Sequence, residues 1–185
     1  MRKLTVKEMC VCALFAALMC IFGPITIPIG PIPVSLLNFM ICLCACVLGW
    51  RGCTISTGVY LLLGLVGLPV FSGGTGGLAK LAGPTGGFLI GYLFVAIIGG
   101  FGAEYFRRRT AGMRRPVFTG LSLILATAVL YLFGTVWFVI EAQATFAYAL
   151  SVCVLPFVLL DLAKIIVAVL LGDIIYKALV KAGVR

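Results

Sequence analysis

Six long apolar runs, separated by short stretches rich in charge, glycine or proline, organise this sequence. Their bounds are about Val6–Phe22, Val34–Trp50, Cys53–Leu68, Phe88–Tyr105, Val117–Ile140 and Val152–Val180. A bilayer core of roughly 30 Å needs about 20 apolar residues per helix. The pattern therefore predicts an all-α integral membrane protein with six transmembrane helices in one unit spanning residues 1–185. The third run is short for a span and reaches the interface with help from Pro69 and the loop that follows. The basic start, Met1-Arg2-Lys3-Leu4, suggests a signal peptide, but no small-residue cleavage site or polar mature chain follows. The first run reads as a retained span.

Composition agrees with lipid as the solvent. Of 185 residues, 63% are hydrophobic and 10% charged, against about half and about a quarter in soluble domains. The net charge of +9 raises the question of nucleic acid. No basic stripe with interleaved aromatics is present, and such a binder would need one. The cations instead sort by side. Arg2, Lys3, Lys7, Arg51, Arg107, Arg108, Arg109, Arg114, Arg115, Lys177, Lys181 and Arg185 all fall on one side of a six-span topology. Lys80 falls on the other, and Lys164 lies within the sixth span. By the positive-inside rule both termini are cytoplasmic.

The outer loops differ from the inner ones. Gly23–Pro33 carries Pro24, Pro28, Pro31 and Pro33 and no charge, so it is semi-rigid and mostly extended. Pro69–Gly87 has seven glycines between Gly73 and Gly87, which permit left-handed backbone and close approach to a ligand. A loop of this length is usually functional. Its apolar residues Phe71, Leu78 and Leu81 are placed to dock it on the bundle; a floppy linker is the alternative. Trp50 and Trp137 sit at span ends and read as interfacial anchors.

Asp161 and Lys164 are charges deep inside the last apolar run, away from Asp173 and Lys177 near its inner end, in the order Pro156-Phe157-x-x-x-Asp161-x-x-Lys164. A charge at membrane depth is costly and marks a functional site by default. Pro156 suits the first turn of a helix. Asp161 and Lys164, at i and i+3, then share a face, with Phe157 one turn before. Lys164 suits a carboxylate and Asp161 suits N–H donors, so a ligand with a carboxylate at one end and a urea-like group at the other fits. The alternative is a pair that only neutralises itself. Asp173 reads as snorkelling or paired with Lys177, Glu104 as paired with the arginine cluster, and Glu141 as a solvated interfacial charge.

Other chemistry is narrowed. The eight cysteines include Cys42-x-Cys44-x-Cys46, but residues two apart on a helix diverge by about 200° and read as buried small hydrophobes. No histidine is present, which excludes a zinc site of the usual kind and a histidine base. A phosphate loop, an inverted repeat and a nucleophile–base set are not visible. Ala13 and Ala17, at i and i+4, form a small-x-x-x-small face suited to close helix contact.

Taken together, Ile32-Pro-Val-Ser-Leu36, Leu61-Leu-Leu-Gly-Leu-Val-Gly-Leu-Pro-Val-Phe71, Gly83-Pro-Thr-Gly-Gly-Phe-Leu-Ile-Gly91 and the Asp161-x-x-Lys164 motif resemble the BioY family, the biotin-binding S components of energy-coupling factor (ECF) transporters. The resemblance implies an S-component fold and an outward-facing biotin site in the cell membrane, with no cofactor and no enzymatic activity. It implies ligand contacts from Asp161, Lys164, Phe157, Asn38, Phe71, Thr85, Gly86 and Tyr92. It also implies that Ala13 and Ala17 meet a transmembrane T component, which works with two cytoplasmic ATPases to tip the loaded subunit and release biotin inside. Leu37 departs from the polar residue common in the first-loop motif, so no site role passes to it, while Asn38 is a possible substitute. An S component for thiamine or riboflavin, and a solitary facilitator, are the competing readings.

Overall fold

The computed structural model describes residues 5–27, 33–110, 112 and 114–184. Eight helices and a two-stranded hairpin make up its elements. Helix α1 (Val6–Phe22) opens on a capping box: Glu8 N donates to Thr5 Oγ1, and Thr5 N donates to Glu8 Oε2 at 2.9 Å. Strands β1 (Thr26–Ile27) and β2 (Val34–Ser35) pair antiparallel and bracket the first outer loop. The extended backbone expected there holds at this pair; Pro28 and Pro31 lie outside the described residues.

The second and third runs form two helical arms, together α2 (Leu37–Leu65), that meet at a kink at Gly49. Gly49 has φ 68° and ψ −172°, a backbone state that favours glycine. The chain folds back there, because Cys53 Sγ reaches the Ile41 carbonyl at 3.5 Å. A straight helix would hold those residues about 18 Å apart. Gly100 fits against the bend, where a Cβ would come within 2.5 Å of Trp50 Cα. The arm before Gly49 is buried almost all round, which makes it the central post of the bundle.

Helices α3 (Leu78–Ala82), α4 (Gly86–Phe94), α5 (Gly100–Arg109), α6 (Arg114–Ala142), α7 (Phe146–Cys153) and α8 (Leu155–Lys181) follow. A π-helical turn, Val95–Gly99, joins α4 and α5 into one rod. That rod lies tightly on α6: a Cβ at Gly87, Gly91 or Gly99 would come within 2.3 to 2.7 Å of Trp137, Leu130 or Leu123. Small residues allow such approach where lipid supplies no hydrophobic drive between helices. The sixth run is interrupted at Val154 (φ −120°, ψ −56°), so a short α7, capped by Thr145, precedes α8 with Pro156 in its first turn. Among the described residues, four stretches are long and apolar enough to cross a membrane by length and composition: Leu37–Leu65, which folds back at Gly49, Gly86–Arg109, Arg114–Ala142 and Phe146–Lys181. At 17 residues, α1 rises about 26 Å.

The charges gather at one end. Lys7 Nζ donates to the Gly183 carbonyl at 3.2 Å, which joins the start of α1 to the end of α8. Asp173 accepts from Arg115 at 2.8 Å and Lys177 at 2.6 Å, and Arg108 pairs with Glu104 at 2.6 Å. The Arg107 guanidinium lies over the Tyr176 ring at 3.8 Å and donates to the Cys46 carbonyl. The expected Lys177 partner of Asp173 is present, and Arg115 is added from α6.

Candidate functional site

At the opposite end from the arginines, α4, α6 and α8 splay around a cavity of about 620 Å³, its open mouth included. Its polar patch comes from α8. Pro156 starts that helix, which sets Asp161 and Lys164 on its inward face; Asp161 is only 5% exposed. Lys164 Nζ donates to Asp161 Oδ1 at 3.0 Å and to the Ser35 carbonyl at 2.9 Å. The Tyr131 hydroxyl, from α6, donates to Asp161 Oδ2 at 2.6 Å. The carboxylate therefore holds an ammonium and a phenol, and the ammonium also ties α8 to the outer hairpin. Both charges reach beyond their own helix, which a self-contained pair would not.

Around this patch the walls are largely apolar: Phe157, Phe88, Leu89, Tyr92 and Leu130. Ser72 and Thr85 add hydroxyls from the glycine-rich loop and the start of α4. That loop is built, not slack. Phe71 is fully buried, edge-on to Tyr60 at 5.7 Å between centroids. Gly64 makes room for it, since a Cβ there would sit 2.1 Å from the Phe71 ring. Tyr60 OH donates to the Val70 carbonyl at 3.0 Å. Trp137 Nε1 donates to the Gly83 carbonyl at 3.1 Å. Trp137 is thus a latch between α6 and the loop, in place of the interfacial anchor expected from its position at a span end. Trp50, at the Gly49 bend, lies under the Arg51 guanidinium at 5.1 Å.

Of the expected contacts, Asp161, Lys164, Phe157, Thr85 and Tyr92 line the cavity together. Asn38, Phe71 and Gly86 are not among its lining residues. Asn38 is buried, its side-chain oxygen meets Cys42 Sγ at 4.0 Å, and its Nδ2 has no partner among the described residues. Phe71 supports the loop from beneath. Gly86 gives passage to the backbone, since a Cβ there would fall 1.6 Å from the Leu81 carbonyl oxygen. Leu37 does line the cavity, as an apolar wall.

Tyr131 is the principal residue the motif reading missed. Its signal was present in the sequence: a tyrosine deep in an apolar run must find a partner for its hydroxyl, and Asp161 is the acceptor at matching depth. Ser35 was missed because it acts through its backbone carbonyl, which no residue type announces. Chemically, an acceptor and a donor lie side by side at 3.0 Å, walled by aromatic and aliphatic groups. This arrangement binds and orients.

Known proteins share both the sequence pattern and the bundle. The sequence profile described as the BioY family matches residues 1–181. A biotin transporter BioY2 of Lactococcus lactis subsp. cremoris is 35% identical over 167 residues, covering 90% of this chain and 88% of the relative. A biotin transporter BioY of Thermotoga maritima is 36% identical over 166 residues, covering 90% and 94%. Among solved structures, the S-component for biotin from an ECF-type ABC transporter superposes with a TM-score of 0.85 at 30% identity, covering 93% of this chain and 92% of that one. Profile, relatives and fold agree over nearly the same residues, and the chain belongs to the BioY family.

Proposed function

We propose that this chain is the biotin-binding S component of an ECF-type vitamin transporter. It is a multi-pass membrane protein and a transporter subunit, not an enzyme. The observation that carries the ligand reading is the Asp161–Lys164–Tyr131 cluster inside the cavity. Asp161 and Lys164 are 3.0 Å apart, so they form one polar spot and not two separated poles. A urea offers an N–H and a C=O side by side, and it matches an adjacent acceptor and donor. Biotin's ureido ring accordingly docks on the couple, its apolar body lies along Phe157 and Tyr92, and its carboxylate points to the mouth near Ser72 and Thr85. This revises the division of labour expected from sequence, in which Lys164 took the carboxylate.

The chain sits in the bacterial cell membrane and works with a transmembrane T component and two cytoplasmic ATPases. Ala13 and Ala17 are exposed on α1, while Ala16 between them is buried, which supports α1 as the face that meets the T component. The test is equilibrium binding of biotin, desthiobiotin, thiamine and riboflavin to purified protein. Tight binding of biotin, displaced only by ureido analogues, is expected. Equal competition by thiamine or riboflavin would remove the biotin assignment. Uptake by cells with and without the T component and ATPases tests the partners; unchanged uptake without them would assign a solitary facilitator.

A further inference from the structure

We propose that the cleft between α6 and α8, on the membrane-facing side of the bundle, holds one acyl chain of an anionic inner-leaflet phospholipid whose phosphate rests on Arg114 and Arg115. The cleft has two overlapping stretches, of about 730 and 440 Å³ with their open sides included, which share Ile124, Leu162 and Ile165. Every side chain along the larger stretch is apolar, or absent at Gly120. From Pro116 to Ala128, short of Tyr131 and Asp161 at its outer end, it runs about 18 Å along α6, longer than the ~15 Å of hydrocarbon in one leaflet. It is therefore long enough to take a whole chain.

Three features separate this cleft from ordinary lipid-covered surface. Gly120 lies mid-helix, where glycine is costly, yet nothing lies within 4 Å of where its Cβ would be. No protein contact explains the missing side chain, and the floor it opens is part of the cleft. The cleft's cytoplasmic end begins at Pro116, directly after Arg114 and Arg115. Finally, the charge there is complementary to a phosphate. Arg115 and Lys177 share the single carboxylate Asp173, at 2.8 and 2.6 Å, and Arg114 is exposed beside them. Basic groups at the cytoplasmic end of an interhelical pocket are the setting in which anionic headgroups bind.

The experiment is native mass spectrometry of the full chain, equilibrated with phosphatidylglycerol or phosphatidylcholine of identical acyl chains. One phosphatidylglycerol is expected to be retained preferentially. Gly120→Leu adds bulk to the cleft from a Cβ that stands in open space, and it should abolish that retention while biotin binding stays as in the parent. Arg114→Gln leaves the Asp173 pairs intact, and it should lower phosphatidylglycerol affinity about fivefold with phosphatidylcholine unchanged. Equal retention of the two lipids would overturn the proposal. So would retention untouched by Gly120→Leu, which would leave the cleft to bulk lipid or to a partner helix.

Discussion

Helix α8 carries two aspartate–lysine pairs of nearly the same spacing, Asp161–Lys164 at i,i+3 and Asp173–Lys177 at i,i+4. In the first, the side chains are 8% and 14% exposed; in the second, 32% and 65%. The inner pair joins Arg115, beside Tyr176, at the end of the bundle where water reaches. Its attraction is screened there, and such pairs contribute little. The outer pair borders a hollow and adds Tyr131 and the Ser35 carbonyl to its partners. Removing one member of a buried pair strands the other, at about 3–5 kcal/mol. Spacing on a helix therefore says that two charges can meet. Burial and the empty space beside them say whether the meeting serves a ligand.

The sharpest way to break this contrast is Lys164→Ala. Biotin affinity, measured by equilibrium binding, should fall by about a hundredfold or more, with the protein still inserted in the membrane. Tyr131→Phe comes next. It removes a hydrogen bond to a carboxylate, of the kind that contributes about 1.5–3 kcal/mol, so affinity should fall about tenfold or more. An unchanged affinity would reduce Tyr131 to a packing residue. Trp137→Phe deletes one neutral hydrogen bond to the loop, of about 1 kcal/mol. Biotin should dissociate about fivefold faster in a displacement experiment, with smaller change in association. The smallest effect belongs to Lys177→Ala, which loses a surface pair of about 0.3–0.5 kcal/mol. Its biotin affinity should match the parent's, and a drop comparable to that of Lys164→Ala would erase the distinction between the two ends.

Hydropathy made most of the bundle legible, because a helix in lipid must be apolar along its length. Asp161 and Lys164 were legible for the same reason, as charges where charge is costly. The reversal between the second and third runs was legible from the break at Arg51, but its sharpness, a kink at Gly49 with no loop, was not. A glycine within an apolar run is common in membrane helices, and only the Cys53–Ile41 contact shows how tightly the chain turns there. The break at Val154 was also hidden, since Pro156 marks the start of α8 but says nothing of a short helix before it. Trp137 was misread because an indole at a span end has two possible partners, the lipid headgroups and the loop, and sequence does not choose between them. Asn38, Phe71 and Gly86 sit in the right segments, but which way each faces depends on packing registers that no motif encodes.

The closed circuit between Lys164 and Asp161 has a consequence for selectivity. Each charge is partnered within the fold, Lys164 by Asp161 and the Ser35 carbonyl, Asp161 by Lys164 and Tyr131. A guest must take over both halves of the handshake at once, offering hydrogen to the acid and oxygen to the ammonium. A simple anion such as acetate or chloride offers only one, and its entry would draw Lys164 away and leave the carboxylate with the Tyr131 hydroxyl. On the proposed reading, that pairing would disfavour abundant small ions relative to a ureido ring.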